Sequence, residues 1–321
     1  MRSAITTRRP RLVMLRALAL GDFLTAVPAY RALARAFPGH YRVLAAPVAL
    51  APLAELCGDI DEVVDTAALS PLDPALAGAD VAVNLHGRGP QSHRLLLETE
   101  PRRLIAFAHP DISGFEAAPA FRQDEHEVRR WCRLLEESGI RTDPRDLDLR
   151  AAPYCGPHRG AVVLHCGASS ESRRWPIAAW IELAAQLHRD GYRVVFTGTQ
   201  REFRRARVIA RNAGVPIDRV TAGRTTVTEL VSLVAAARAV VCGDTGVAHV
   251  ATAVGTPSVV LFGPISPASW GPPRERRQHR VLWRGRIGDP HAAVVDPGLA
   301  SITVEEVRRE LDALLDTPRA G

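Results

Sequence analysis

Short apolar runs alternate with helical patterns from one end of the chain to the other. In the first half, RLVMLRA (11–17), YRVLAA (41–46), DEVVD (61–65), DVAVNL (80–85) and RLIAF (103–107) read as buried strands with helices between them. DEHEVRRWCRLLEESGI (124–140) sets Val128, Trp131, Leu134 and Leu135 on one face and stops at Gly139, which predicts the helix that closes this half. The pattern restarts with the strand GAVVLHC (160–166) and a helix over WPIAAWIELAAQLHRDG (175–191), where Pro176 occupies a position that a first turn tolerates. Strands YRVVFTG (192–198), RAVVCG (238–243) and TPSVVLFG (256–263) follow, with helices over 200–213, over TVTELVSLVAAA (226–237) and after GDTG. This alternation predicts an α/β protein with parallel sheets covered on both faces.

Between the halves, RTDPRDLDLRAAPYCGPHRG (141–160) is polar, carries three prolines and has no amphipathic period, so it reads as a linker. The expected domains are therefore residues 1–150 and 151–321, each a doubly wound, Rossmann-like unit, facing a central cleft. The last pattern, TVEEVRRELDALL (303–315), is an amphipathic helix expected to pack back toward the N-terminal domain.

A chain of 321 residues, 46% hydrophobic and 24% charged, is long enough for two such cores. All 41 basic residues are Arg and the net charge is +6, but the arginines are spread along the chain and aromatics are only 5%, which argues against nucleic acid as a partner. Cys57, Cys132, Cys155, Cys166 and Cys242 are odd in number and lack C-x-x-C spacing, the pattern of a reduced, cytoplasmic protein. The N-terminus imitates a leader, with Arg8 and Arg9 before an apolar run, yet Arg16 interrupts that run, so a first strand fits better. No stretch is long enough to span a membrane, which leaves at most peripheral contact.

In open α/β sheets ligands bind beyond the carboxyl ends of the strands, and the loops there carry the candidate chemistry. After the first strand, Gly21 and Asp22 form a turn; Asp22 either caps the next helix or serves as a general base for a substrate hydroxyl. After GAVVLHC, the loop GASSESRRWP offers the Ser169 and Ser170 hydroxyls and the Arg173 and Arg174 guanidinium groups, a candidate anion cradle. After YRVVFTG, Glu202 is placed either to accept from ribose hydroxyls or to begin a solvated helix. After RAVVCG, Thr245, Gly246 and Val247 present amides at a helix start, flanked by Asp244 and His249; a helix cap explains this turn, and so does a bound phosphate. Two D-x-D pairs, Asp59 with Asp61 and Asp146 with Asp148, hint at a metal, but one precedes a strand and the other lies in the linker, so neither a metal nor any other cofactor is expected.

These segments resemble glycosyltransferase family nine, the heptosyltransferase-like enzymes of the GT-B fold. LGDFLTAVPAYRAL is similar to its N-terminal G-D motif, SRRWP to its K-x-W-P motif, and GDTGVAHVATAVGTPSVVLFGPISP to its most specific segment, so the likeness covers nearly the whole chain. The resemblance implies that Asp22 is the catalytic base, that Arg173 stands where the family has a donor-binding Lys, and that Asp244, Thr245, Gly246 and His249 line the diphosphate and donor-sugar site. It further implies an ADP-heptose donor. Two positions depart from the pattern: Arg173 itself, and Asn84 in NLHGRGPQSH, where the family often has Asp. On the acceptor side, Gly21, His86, Arg88 and His126 are the candidates.

The expected function is inverting, metal-independent transfer of a sugar from a nucleotide diphosphate to a glycan, lipid-linked or small-molecule hydroxyl. A non-catalytic sugar-nucleotide binding module and a GT-B nucleotide-sugar epimerase are the alternatives. Asp22 argues against the binding module, which has no use for that carboxylate.

Overall fold

The computed structural model describes residues 9–316, so Arg8 of the leader-like stretch lies outside the described residues. The chain divides into two compact units, Met1–Leu147 and Asp148–Gly321. The division falls within residues 141–160, which contain neither helix nor strand.

Among the described residues the first unit holds a five-stranded sheet of β1 (Arg11–Leu15), β2 (Tyr41–Ala46), β3 (Glu62–Asp65), β4 (Val81–Asn84) and β5 (Leu104–Ile105). All its pairings are parallel and the order is β3-β2-β1-β4-β5. Val13 and Leu15 of β1 pack with Val43, Ala82 and Leu96 in its core. The second unit repeats the arrangement with β6 (Val162–His165), β7 (Val194–Thr197), β8 (Ala239–Gly243), β9 (Ser258–Leu261) and β10 (His279–Leu282), in the order β10-β9-β8-β6-β7. Continuous apolar runs such as VVLH and AVVCG are buried throughout, as strands covered on both faces require.

The strand β10 has no counterpart in the sequence reading. It is a four-residue edge strand, HRVL, mostly half-buried, inside an Arg- and Pro-rich stretch without a continuous apolar run to mark it. The helix that follows β1 is also shorter than expected. Leu20–Thr25 and Val27–Ala36 are separate helices, and Asp22 lies inside the first one rather than in a turn before it.

The final helix finds its partners within the second unit. Val304–Leu315 belongs to the core of the second unit: Val304, Val307, Leu311, Leu314 and Leu315 are buried, and the helix packs on β8, β9 and the helix Ile177–Arg189. Its start is fixed by a capping box in which Thr303 Oγ1 accepts from the Glu306 amide at 3.3 Å and Glu306 Oε2 accepts from the Thr303 amide at 2.9 Å. Arg308 adds a 2.5 Å hydrogen bond to Asp190, at the end of the helix it packs against. The apolar stripe thus finds its partner locally. Leu311 is fully buried, so Leu311→Ala should destabilise the second unit by about 2–5 kcal/mol, read as a lowered urea midpoint of its unfolding transition.

Candidate active site

The order of strands in a parallel sheet decides where a crevice opens. In the second unit the chain passes from β6 to β7 on one side and then crosses to β8 on the other, so the switch point lies between β6 and β8. His165, the last residue of β6, is in register with Cys242 of β8, so the loops 166–175 and 244–246 leave the sheet side by side. In the first unit the equivalent point lies between β1 and β4, where Leu15 is in register with Asn84. The loops with Asp22 and His86 leave there.

In the second unit Arg173 joins the two loops. Its Nη2 donates to Asp244 Oδ2 at 2.9 Å and to the Asp244 carbonyl, and its Nη1 donates to Ser169 Oγ at 3.3 Å. Asp244 is buried, and burial pushes its carboxyl above the usual carboxylate range against the pull of Arg173. Arg173 Nε is buried without a hydrogen-bond partner among the described residues. The helix Gly246–Ala253 begins at Thr245 with no side-chain cap, and its leading amides precede its first internal bonds. His249 lies one turn on, its ring 6.0 Å from that of Trp270. A guanidinium with spare donor capacity beside an uncapped helix start suits a phosphate oxygen.

Ser170 takes a different part from the one expected. Its hydroxyl donates to the Pro290 carbonyl and lies 3.1 Å from Ser172 Oγ, so it braces the loop from below. Arg174 is turned away as well, with Nε and Nη2 on the Ala168 carbonyl and Nη1 on Glu171. Glu202 is the third residue of a capping box, its Oε2 accepting from the Thr199 amide at 2.7 Å and hydroxyl at 2.9 Å. Its other oxygen lies over Gly167, where a Cβ would come within 1.8 Å of Oε1. Glycine is needed there so that the carboxyl can reach the end of β6.

In the first unit the buried feature is Arg16, just beyond β1. Its Nε donates to the Asp22 carbonyl at 2.6 Å, Nη1 to the Leu85 carbonyl, and Nη2 to Thr25 Oγ1 at 3.1 Å and Glu127 Oε1 at 3.0 Å. The guanidinium also stacks on Trp131 at 4.8 Å, and Trp131 Nε1 donates to the same Glu127 oxygen at 2.8 Å. Burial opposes ionisation of Glu127, but Arg16 and Arg130 hold its carboxyl below the usual range. Asp22 is the third residue of its helix. Its Oδ2 accepts from the Ala19 amide at 3.2 Å, while Oδ1 stands 3.7 Å from Arg16. Its side chain is 24% exposed. Burial raises the Asp22 carboxyl, Arg16 opposes that, and Glu127 reinforces it, with a net upward result. Asp22 is thus a partly accessible carboxylate of enhanced basicity at a switch point.

The acceptor-side candidates separate. Gly21 precedes Asp22 in the same helix. His86 Nδ1 accepts from the Ala17 amide at 3.2 Å, which places its proton on Nε2, and burial depresses it to about 4. Arg88 lies at the edge of a cavity of about 590 Å³ lined by His109, Ile112, Phe115 and Phe121. His126 caps the helix Glu127–Glu137, its Nδ1 accepting from the Val128 amide at 3.2 Å. Asn84 is buried and donates to Ser92 Oγ at 2.9 Å and to His93 Nδ1 at 3.2 Å, while His93 Nε2 donates to the Phe107 carbonyl at 2.8 Å. A carboxylate at 84 would have no proton to give a neutral His93. Asn fits this network.

The D-x-D residues are held by arginines: Asp59 with Arg31, Asp61 with Arg42, Asp146 with Arg31 and Arg35, and Asp148 with Arg276. Among the described residues no three His, Cys, Asp or Glu side chains gather as a metal-ligand set. No helix among them is long and apolar enough to cross a membrane. Sequence reasoning gave no part to Glu127, whose signal was only an acidic residue opening a helix. It also missed Trp175, which is buried, donates to the Ile302 carbonyl at 2.9 Å and anchors the loop that bears Arg173.

Residues 116–286, more than half of the chain, match the family described as Glycosyltransferase family 9 (heptosyltransferase). Lipopolysaccharide heptosyltransferase 2 of Escherichia coli (strain K12) is 34% identical over 152 residues, which are 45% of this chain and 43% of that protein. The stretch alike in sequence therefore spans under half of the relative. Among solved structures, E. coli ADP-heptose lps heptosyltransferase II superposes with a TM-score of 0.78 at 23% identity, covering 95% of this chain and 98% of that one. E. coli heptosyltransferase WaaC with ADP superposes with a TM-score of 0.69 at 17% identity, covering 95% and 99%. These likenesses give the fold, a GT-B-like pair of parallel-sheet units, and with the family match they establish that the chain belongs to glycosyltransferase family 9.

Proposed function

We propose that the chain is an inverting, metal-independent glycosyltransferase that moves a heptose from ADP-heptose to a hydroxyl of a lipopolysaccharide-type glycan in the cytoplasm. The second unit would hold the donor and the first the acceptor. The observation that carries this reading is the meeting of Arg173, Ser169 and Asp244 at the β6/β8 switch point beside the uncapped start of the helix at Gly246. The names of the relatives, a lipopolysaccharide heptosyltransferase and a structure with ADP, support the choice of donor and acceptor.

On this reading Arg173 and the amides of Thr245, Gly246 and Val247 receive the diphosphate, and Glu202 Oε1 faces the ribose. His249 borders the sugar. Asp22 takes the proton of the acceptor hydroxyl as its oxygen attacks the anomeric carbon from the side opposite the diphosphate. The carbon–oxygen bond to the nucleotide breaks, its electron pair leaves with the diphosphate, and the configuration inverts. The new negative charge arises where Arg173 and the helix amides lie, which is where fixed positive charge lowers the barrier most. No step calls for a cofactor.

Arg173→Ala should weaken binding of ADP about 10- to 100-fold by calorimetry and slow transfer as well, since the cation serves bound donor and transition state alike. Unchanged ADP affinity would remove Arg173 from the donor site. Asp22→Asn should leave ADP affinity intact and lower the transfer rate about 100- to 10,000-fold, because the amide still accepts from Ala19 but takes no proton. Near wild-type transfer by that variant would make Asp22 structural. The wild-type rate should fall as pH drops through the raised Asp22 value. Glu127→Gln removes the negative charge that raises it and leaves Arg16 unopposed, so the acid limb should move to lower pH. A pH–rate profile of the folded variant checks the direction.

A further inference from the structure

The amino edge of the second sheet carries a concentration of charge that sugar transfer does not use. Arg193 immediately precedes β7, Arg238 immediately precedes β8, and Arg159 lies two residues before the buried Ala161 that leads into β6. With Arg219, His188 and Tyr192 they line one concavity of about 400 Å³. The four-residue strand β6 separates this edge from the Arg173 loop by about 13 Å of extended chain.

What these arginines touch is the telling feature. Arg193 Nη1 donates to the carbonyls of Pro157 at 2.7 Å and Arg159 at 3.3 Å, and Arg238 Nη2 donates to the Leu315 carbonyl at 2.9 Å. Arg238 also lies over the Tyr192 ring at 5.6 Å. Among the described residues none of Arg159, Arg193, Arg219 and Arg238 has a carboxylate within ion-pair distance, although Arg–carboxylate pairs recur elsewhere in the chain. Nearby Asp190 is already bound by Arg308, and Asp218 makes no pair with any of the four. The backbone holds the concavity open. The helix Ile177–Arg189 ends with Gly191 at φ 83°, its amide donating to the His188 carbonyl and the Tyr192 amide to that of Leu187, which turns Tyr192 and Arg193 into the rim.

We propose that this concavity is a second anion site, which takes a phosphate-bearing group independently of the donor site. Guanidinium groups pair with phosphate oxygens through parallel hydrogen bonds, and like charges gathered without counter-charges repel until an anion neutralises them. The volume suits a phosphate or diphosphate group rather than a whole nucleotide sugar. The same chemistry occurs in a soluble phosphate compound and in a phospholipid headgroup.

The test uses the full chain, Arg173→Ala, the charge-reversed double variant Arg159→Glu/Arg219→Glu, and the triple variant that combines them. Inorganic pyrophosphate at low ionic strength should raise the Tm of Arg173→Ala, whose donor site is weakened, by about 2–4 °C, and adding the charge-reversed pair to Arg173→Ala should remove that rise. Without pyrophosphate the double variant should be at least as stable as wild type, because reversal relieves repulsion; this separates loss of the site from loss of the fold. Sedimentation with phosphatidylcholine vesicles, with and without phosphatidylglycerol, identifies the source. Pelleting of wild type but not the double variant with the anionic vesicles assigns the site to a lipid headgroup, and a Tm rise without pelleting assigns it to a soluble phosphate. The proposal is overturned if the triple variant keeps the Tm rise of Arg173→Ala, if Arg173→Ala alone abolishes it, or if wild type shows neither a rise nor pelleting.

Discussion

A charge placed in the chain beyond a strand that is buried on both faces has to bring its own compensation, and both halves of this protein are arranged around that requirement. Removing a guanidinium from water costs several kcal/mol, and only close counter-charge and a full set of hydrogen bonds return it. Arg16 meets the condition with Glu127, Thr25 and two carbonyls, and Trp131 closes over its face. Arg173 meets it only in part, with Asp244 and Ser169, because its Nε is left unmatched. In each unit the pair ties together chain segments distant in sequence, Arg16 to Glu127 and Arg173 to Asp244, so the loops after the strands are held by charge as well as by packing.

The two arginines differ in what they have left over. Arg16 is fully buried and its hydrogen bonds go to protein acceptors, so its influence is electrostatic: it lies 3.7 Å from Asp22 and lowers its carboxyl, while Glu127 opposes that pull. Without Glu127 a carboxylate so close to a buried guanidinium would become a weaker base. Arg173 keeps 22% of its side chain exposed and has an unmatched Nε. A chain free of Lys has to use Arg for both tasks, and the planar five-donor group suits both: it can be saturated from all sides in a core or present one edge to an anion.

Much of this was legible in the sequence. The apolar runs announced nine of the strands because strands buried on both faces need continuous apolar stretches, and that demand acts residue by residue. The glycine-rich GDTG turn and the SRRWP loop were readable for the same reason, since a strand-to-helix turn that approaches a ligand closely restricts which side chains fit. The edge strand β10 was not readable, because HRVL mixes polar and apolar residues, is mostly half-buried, and lies in an Arg- and Pro-rich stretch, so no continuous apolar run marks it.

Three things were decided only by tertiary structure. Which loops meet depends on strand order, and no local pattern encodes that β6 lies beside β8 or that β1 lies beside β4. What a polar side chain is for depends on its partners: Ser170 and His126 looked like ligands and serve as a loop brace and a helix cap, while Glu127, which the sequence did not single out, helps raise the Asp22 carboxyl. The resting place of the final helix depends on which apolar surface is within reach, and its stripe reads the same whichever unit receives it. By itself, then, the sequence determined the local elements and the residue types at their ends, because burial and backbone geometry constrain each position separately. The fold alone decided pairing, because charge compensation and hydrogen bonding belong to sets of residues brought together from distant parts of the chain.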